Sequence, residues 1–476
     1  MNSSTQKIEN EKNFERELQK IHKLNSIESI KVQIIGSENT QANLSKLQET
    51  FKLSINARLI DEDDENSNLS FVLDDIVYYT KNLGNIYNGT EFKVDKSVTF
   101  ETRIELKSFQ SATFKQESRY KLFFPTDIKE VKTFHTEFET VTHQRKGREY
   151  FYDCLRIKIN QREYDVTQLK DEGKGFYIFE CLQKQSYNKF SEACFSIQQA
   201  LGFVNKLMVG GEKFIFDDEG GFYYSNYIRP TIKGMYSPIT TNPYSYADIE
   251  REVADQYYTN LTRLSLKNLS KLVYKIHTEP EFSVAILVIL EATSIRSLLI
   301  IPSSFAVIIE QLSKQLSTEE IGLERPISNK SLADEIINEL QKVIDNNSSN
   351  LTDHSVLKLK RRLNEINKPI NKEHLTNNEK LTRPFEQLGI HLTLHDIAII
   401  EHRNDLLHGD ILLKKGEEKD EENTNLYMAY VSAKLYTLIS KLILKSIGYN
   451  GYVYNQAKYL EKHMEIETNE TYFEKI

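Results

Sequence analysis

The N-terminal half of the chain alternates apolar and polar positions with a period of two, as strands with one buried face do. The alternation is clearest where Leu155, Ile157 and Ile159 fall on one side of a run. One segment differs: over 187–208 the apolar positions recur every three to four residues and Gly210 follows, so we predict a helix there. The predicted strands are 133–141, 150–159 and 176–182, with a hairpin formed by 213–216 and 222–224.

The C-terminal half has the apolar spacing of amphipathic helices from about residue 246 onward. Before it, the segment 229–244 holds three prolines and no periodicity, which predicts an ordered, irregular link. Strands and helices are therefore segregated, and this order predicts an α+β fold in which a β-rich domain precedes an all-α bundle. The predicted helices are 247–276, 282–298, 303–316, 331–346, 353–367, 378–389, 394–408 and 425–447.

These changes of pattern divide the chain into five predicted segments. The first is polar with scattered apolar positions, and either one frayed helix or a disordered stretch fits it. The segments are a polar N-terminal stretch at 1–27, a β-rich domain at 28–245, connecting helices at 246–298, a helical bundle at 299–456 and a C-terminal tail at 457–476.

Composition narrows the class of protein. The three cysteines, Cys154, Cys181 and Cys194, form no CxxC pair, which is typical of reduced thiols in a cytosolic protein. The chain begins without the apolar core of a signal peptide, and its longest clean apolar run, 284–290, is too short to span a bilayer. We therefore expect a cytoplasmic protein with no membrane contact.

Charge limits how the chain could bind nucleic acid. Its 476 residues carry a formal net charge of −8, whereas proteins that coat nucleic acid are usually basic. Any recognition of RNA must therefore lie in a local pocket or in a groove formed by a dimer.

The residues with the clearest chemistry lie near the C-terminus, in Ile399-Ile-Glu-His-Arg-Asn-Asp-Leu-Leu-His-Gly-Asp410. Arg403 is followed directly by Asn404, and His408 lies four positions further on, where it shares a helix face with Asn404. A cation, an amide and an imidazole are thereby grouped on one element. Together they could handle the developing charge and the proton transfers of phosphodiester cleavage.

The helix that carries these residues has recognisable ends. Thr393 and Asp396 have the spacing of a capping box, so the helix should begin after Thr393. Gly409 stands where a left-handed C-terminal cap would be. His408 then lies in the last turn, where the negative end of the helix dipole favours an imidazolium.

The motif resembles that of the HEPN superfamily, in which an Arg, a polar residue that is often Asn, and a His lie at the end of a helix in a small bundle. Arg403-Asn404-Asp-Leu-Leu-His408 has this form, and the resemblance extends over roughly 300–450. Most of the chain resembles the ApeA-like branch of that superfamily. The segments that carry this closer resemblance are Phe195-Ser-Ile-Gln-Gln-Ala-Leu-Gly-Phe203, Gly234-Met-Tyr-Ser-Pro-Ile239 and Ala306-Val-Ile-Ile-Glu-Gln-Leu312.

The resemblance implies a metal-independent endoribonuclease, without a cofactor, in which the 2′-hydroxyl of the RNA attacks the adjacent phosphate. His408 would act as general base or acid, Arg403 would hold the phosphate and stabilise the transition state, and Asn404 would orient His408 or the phosphate. Glu310 matches a polar position near the site and would have a supporting role. Asp410 replaces a tyrosine that is modified in the toxin–antitoxin branch, so that form of regulation is not expected.

The resemblance also implies partners and a biological setting. Members commonly dimerise so that two motif helices face one cleft, and we expect a homodimer or larger homo-oligomer through the helical domain. The role implied is antiphage defence by abortive infection, with transfer RNA as a plausible substrate. The β-rich domain would sense or regulate, and a phage-derived protein is a possible trigger.

Two alternative interpretations of the motif involve no catalysis. Arg403 could simply bridge two helices while His408 caps the C-terminus. The whole chain could also be a non-catalytic HEPN-like module that binds RNA or protein and dimerises.

Two further patterns resemble binding sites. His391, His395 and His402 would align as metal ligands on one helix, but Thr393 is expected to begin that helix after His391, so no metal site is predicted. The densest basic group is a solvated helix face or a track for RNA phosphates. Its members are Lys358, Lys360, Arg361 and Arg362.

Overall fold

The computed structural model of the 476-residue chain describes most of its length. The described residues are 13–35, 41–56, 69–92, 98–142, 153–226, 229–246, 249–317, 323–363, 365–368, 370–371, 376–408, 412, 420–461 and 470–476.

The N-terminal half is built mainly from strands, as the period-two pattern predicts. Its elements are α1 (Glu15–Asn25), β1 (Ile30–Ile35), β2 (Gln41–Leu47), β3 (Thr50–Ile55), β4 (Ser70–Leu73), β5 (Ile76–Phe92), β6 (Val98–Ser111), β7 (Glu117–Ser118), β8 (Lys121–Thr126), β9 (Cys154–Ile159), β10 (Arg162–Asp171), β11 (Lys174–Cys181), β12 (Gln185–Ser186), α2 (Tyr187–Asn205), β13 (Leu207–Met208), β14 (Lys213–Phe216), β15 (Phe222–Ser225) and β16 (Ile232–Lys233).

Twelve strands form one antiparallel sheet, in the order β3-β2-β1-β4-β5-β6-β15-β14-β8-β11-β10-β9. Because β3 also pairs with β6, with Phe51 opposite Leu106, the first six strands close into a ring. Closure removes the exposed edge that β3 would otherwise present. Helix α1 packs on the core of this half through Leu18, Ile21 and Leu24, so the N-terminal segment is helical and anchored from Glu15 onward.

The outer strands have apolar residues on both faces. Along β8, Phe123 joins the core of the strand ring, while Leu122 and Phe124 join a second core that contains α2. This alternation follows from the pleat of a strand, which sends successive side chains to opposite faces. The predicted hairpin is confirmed, with Phe216 opposite Phe222, and the predicted helix at 187–208 is α2.

The predicted strand at 133–141 is wrong. The segment instead holds a single 3-10 turn at Phe134–Thr136, and within it only isolated bridges form, at Phe138 and Val141. Phe134 and Phe138 lie four residues apart and are both fully buried, with the Phe138 N–H donating to the Phe134 carbonyl at 2.9 Å. That spacing suits one helical turn better than a strand.

The C-terminal half is mainly helical. Its elements are α3 (Arg251–Tyr258), α4 (Leu266–Thr278), α5 (Pro280–Ile295), α6 (Ile300–Leu316), β17 (Leu323–Glu324), α7 (Lys330–Asn346), α8 (Asp353–Leu363), β18 (Ile370–Asn371), α9 (Asn377–Gln387), α10 (Leu394–Glu401), α11 (Arg403–His408), α12 (Glu421–Ser446), β19 (Tyr452–Tyr454), α13 (Lys458–Glu461) and β20 (Phe473–Lys475). With the strand-rich first half, these elements give the α+β fold that the pattern predicts. Two predicted helices are each divided: 247–276 into α3 and α4, and 394–408 into α10 and α11.

A single hydrophobic core joins the outer sheet, α2 and the helices α4, α5, α6 and α12. The segment 234–239 lies at this junction, where the Ser237 hydroxyl donates to the Val204 carbonyl at 2.7 Å. The Tyr454 N–H donates to the Pro238 carbonyl at 2.8 Å, and β19 pairs with β20. Val453 and Ala457 thereby join the same core, while Phe473 of β20 packs in a small separate cluster with Tyr246 and Leu261. Within the described ranges, no helix combines the length and apolar character that a membrane crossing needs.

Candidate functional site

The helix that leads to the motif begins as its capping residues predict. The Thr393 hydroxyl accepts from the Asp396 N–H at 3.1 Å, and an Asp396 carboxylate oxygen accepts from the Thr393 N–H at 2.9 Å, which is a complete capping box. The helix stops at Glu401 and resumes at Arg403, with His402 as a turn between α10 and α11. The motif therefore occupies a short helix of its own.

Buried charges hold α10 against α12. The Lys434 ammonium lies 2.9 Å from Asp396, 2.8 Å from Glu470 and 3.3 Å from Glu474, and Lys441 also pairs with Glu474. Burial alone would lower the pKa of Lys434, but the surrounding carboxylates, Glu474 foremost, raise it above its ordinary value. Burial would likewise raise the pKa of Asp396, yet the two lysines lower it. Each charge therefore stays ionised because of its partners.

The three histidines weighed as metal ligands have separate surroundings. His391 is exposed and precedes α10. The rings of His395 and His402 lie within hydrogen-bond distance of Tyr430 and Tyr427, at 2.6 and 3.0 Å. Over the residues that the structure describes, no group of three or more His, Cys, Asp or Glu side chains is placed to hold a metal ion.

Arg403 lies at the surface and is engaged by two neighbours. Its Nε donates to a Glu310 carboxylate oxygen at 3.1 Å, and its Nη2 pairs with the same oxygen. Its Nη1 donates to the Asn404 side-chain oxygen at 2.8 Å. The Arg403 side chain is 21% exposed and that of Glu310 50%. The structure thus brings together three of the residues selected from the sequence.

His408 lies at the opposite end of α11 and is exposed, as is Asn404 one turn earlier. Among the described residues His408 has no hydrogen-bond or ion-pair partner. The buried Leu406 fixes α11 on α6, where the Ser303 hydroxyl lies 3.4 Å from the Leu406 carbonyl. Gly409, the predicted cap, lies outside the described residues.

The predicted basic group is on a different element. All four members belong to α8, which packs mainly against α7, whereas α11 packs against α6 and α10. Lys360 pairs with Asp345 of α7 at 2.6 Å. The other three are exposed. The group therefore faces solvent on an element other than that of Arg403, and its role as a track for RNA phosphates stays a prediction.

Three clefts that the described residues form lie away from the motif. Their volumes are about 390, 370 and 720 Å³, they are lined by residues of the N-terminal half and of the junction with the helices, and none is lined by Arg403, Asn404 or His408. In the part of the chain that the structure describes, Asn404 and His408 are exposed and lie outside these three clefts.

Sequence reasoning missed the buried ion pairs that position α10. The partners of Lys434 lie 36 to 40 residues away along the chain, and no local pattern connects them. One signal was present: Lys434 and Lys441, seven residues apart, interrupt one face of an otherwise apolar helix. Such lysines need buried carboxylate partners.

Compared with protein-family models, with curated proteins and with solved structures, the chain gave no match.

Proposed function

We propose that the chain is a metal-independent endoribonuclease of HEPN type, with its chemistry on α11. The observation that carries the proposal is the arrangement of this short helix. Asn404 and His408 are exposed one turn apart, and Asn404 fixes one edge of the Arg403 guanidinium. A cation, an amide and an imidazole therefore reach solvent from one element that buried residues anchor.

Each group has a role that its chemistry supports. The His408 imidazole accepts the proton of the ribose 2′-hydroxyl, whose oxygen then attacks the adjacent phosphorus. Arg403 donates hydrogen bonds to the non-bridging oxygens as negative charge accumulates on them. Asn404 holds the guanidinium plane in position. The bond to the 5′-oxygen breaks and that oxygen takes up a proton, which leaves a 2′,3′-cyclic phosphate and a 5′-hydroxyl.

Glu310 has a second role in this proposal. Its carboxylate accepts from Nε and Nη2 of Arg403, and so it opposes the positive charge that a phosphate would seek. Because Glu310 is half exposed, a phosphate can displace it or share the remaining donors of the guanidinium. The ion pair therefore orients Arg403 and weakens phosphate binding outside the productive complex.

A dimer would enclose the exposed residues of the motif. The face of α6 that contacts α11 continues into exposed apolar side chains at Ile300 and Val307, and Leu407 of α11 is exposed nearby. Apolar residues beside a charged site are typical of an interface between subunits. Two copies joined here would place two Arg403 side chains at one groove and offset the acidic net charge locally.

The substrate class follows from the reaction. In-line attack by the 2′-hydroxyl needs a flexible, unstacked phosphodiester, so a structured RNA with an exposed loop, such as transfer RNA, is the expected target. Cleavage of such RNA would arrest the host. The HEPN resemblance is the basis on which we assign the activity to antiphage defence by abortive infection, with the strand-rich half as the sensor of a phage-derived protein.

The proposal is tested by removing one group at a time. Purified Arg403→Ala and His408→Ala proteins are incubated with transfer RNA, and fragments are resolved on denaturing gels. We expect cleavage to fall about 10²–10⁴-fold in each variant, as loss of a general base or of a transition-state donor does.

His391→Ala is the matched control, because His391 is exposed and precedes α10. It should cut at the wild-type rate, and all variants should keep the wild-type melting temperature. Undiminished cleavage by His408→Ala would exclude the mechanism.

A second function is favoured by one observation. Arg403 already has partners in Glu310 and Asn404, as it would in a non-catalytic module that binds RNA or protein. That function predicts saturable RNA binding without fragments, and binding that is unchanged in His408→Ala.

A further inference from the structure

A cleft of about 390 Å³ lies between α1 and the turn that joins β14 to β15. It is large enough for a mononucleotide-sized ligand. Its charged lining is balanced, with four basic and four acidic side chains. The two sets differ in how many of their side chains already form hydrogen bonds or ion pairs. The lining includes Arg16, Lys20, Glu17, Asp217, Asp218 and Phe216.

Three of the acidic side chains already accept hydrogen bonds from other groups. A Glu17 oxygen accepts from the Lys121 ammonium at 2.8 Å. The Asp217 carboxylate accepts from three backbone N–H groups, those of Lys115, Glu219 and Gly221, at 2.7–3.0 Å. Asp218 accepts from a serine hydroxyl at 2.5 Å. These carboxylates are therefore held by the turn and the sheet, and none of them forms a hydrogen bond or close ion pair with Arg16 or Lys20, although Asp217 and Asp74 act on Lys20 at longer range.

Two of the basic side chains lack partners of this kind. Arg16 and Lys20 form no hydrogen bond or ion pair with any described residue. They lie four residues apart on one face of α1, where like charges repel. Burial and then Arg16 lower the pKa of Lys20, and the attraction of Asp74 and Asp217 only partly offsets them. Arg16 is also in the first turn of α1, at the positive end of the helix dipole. An anion placed between Arg16 and Lys20 would offset their mutual repulsion, stabilise the buried ammonium and interact favourably with the helix dipole.

The turn is shaped to receive the Arg16 guanidinium. Gly220 adopts a left-handed conformation with φ of +90°, and a Cβ at this position would overlap the Arg16 side chain. The Lys20 ammonium lies 4.7 Å from the centre of the Phe222 ring, which stabilises it partly by a cation–π contact. Apolar lining at Ile76 and Phe216 leaves room for a ring beside the two cations.

We propose that this cleft binds a phosphate ester with an apolar or aromatic body, the chemical class of nucleoside monophosphates. Arg16 and Lys20 would contact the phosphate, and the apolar wall would contact the base or an equivalent group. The site belongs to the strand-rich half and does not rest on the ribonuclease activity. It gives that half a small-molecule ligand.

Titration calorimetry of the full chain with adenosine monophosphate, in a buffer free of phosphate, tests the proposal. We expect one saturable site per chain, no binding of adenosine, and affinity at least about tenfold weaker in Arg16→Gln and in Lys20→Met, since each removes a charge-assisted contact. Lys20→Met keeps the apolar stem of the side chain, so the packing of α1 is preserved.

Lys23→Met is the matched control. Lys23 is on the same helix but pairs with Asp74 at 2.6 Å and does not line the cleft. It should bind adenosine monophosphate within about twofold of the wild type, since a surface charge away from the ligand changes the binding free energy little. The proposal is overturned by absence of binding to the wild type, by equal binding of adenosine, or by equal losses in Lys23→Met and Lys20→Met.

Discussion

At the scale of single residues, the candidate chemistry depends on which polar groups have partners. Arg403 is oriented by Glu310 and Asn404, while His408 is exposed. The sequence could predict that Asn404 and His408 share a face, because helical periodicity alone decides it. It could not predict the Arg403–Glu310 distance from spacing, because the two residues are 93 positions apart.

Glu137 offers a test at this scale. Burial raises its pKa from 4.5 to about 7, although Lys132 and Lys206 oppose the shift. Between pH 4.5 and about 7, the Glu137 carboxyl group is therefore protonated in the folded state and ionised in the unfolded state. The stability this contributes is complete below pH 4.5 and is lost as the pH rises through about 7. Gln does not ionise, so the Glu137→Gln protein does not lose this stability as the pH rises. Its free energy of unfolding relative to the wild type should therefore increase between pH 5 and pH 8 by roughly 1–3 kcal/mol.

Thermal or denaturant unfolding at the two pH values measures this difference. Glu139→Gln is the control, because Glu139 is exposed on the same segment. A Glu137→Gln protein whose stability relative to the wild type is the same at pH 5 and pH 8 would refute the assignment.

At the scale of elements, local patterns were reliable where local contacts decide the structure. The hairpin of β14 and β15 is confirmed, and Thr393 caps α10 as its spacing with Asp396 predicts. The break between α10 and α11 was not predicted. The His402 ring bonds the Tyr427 hydroxyl of α12, which is a tertiary contact, and no propensity in 394–408 marks it.

The attachment of α10 to α12 should depend on Lys434. Lys434→Met would leave the carboxylates of Asp396 and Glu470 buried without their cation, at a cost of about 3–5 kcal/mol in the free energy of unfolding. Lys445→Met, on the same helix where Lys445 bonds Asn450 near the surface, should change that free energy by less than about 1 kcal/mol. Urea unfolding compares the two, and equal midpoints would contradict a structural role for the buried pairs.

At the scale of the whole molecule, the α+β class followed from the segregation of strand and helix patterns. Two features did not. The closure of β3 onto β6 joins strands about 50 residues apart, and β20 returns at the C-terminus to pair with β19. Pairing over such distances is decided by the three-dimensional arrangement of complementary faces, which a one-dimensional pattern does not contain.

The proposed subunit interface makes its own prediction. Ile300 and Val307 of the proposed interface are 46% and 47% exposed. The double substitution Ile300→Asp, Val307→Asp should convert a dimer into monomers, because it places charge in an apolar interface. Leu357→Asp is the control, since Leu357 is exposed on α8, away from that face. Light scattering gives the molar mass of each. A wild-type monomer, or an unaffected double variant, would contradict the interface.

The most direct measurement of the central claim is the chemistry of the RNA ends produced in the presence of EDTA. Attack by the 2′-hydroxyl under the control of Arg403 and His408 predicts fragments with a 2′,3′-cyclic phosphate and a 5′-hydroxyl, formed at the same rate with and without the chelator and absent with His408→Ala. Cleavage abolished by EDTA, 3′-hydroxyl ends, or cyclic phosphates that persist in His408→Ala would contradict the account.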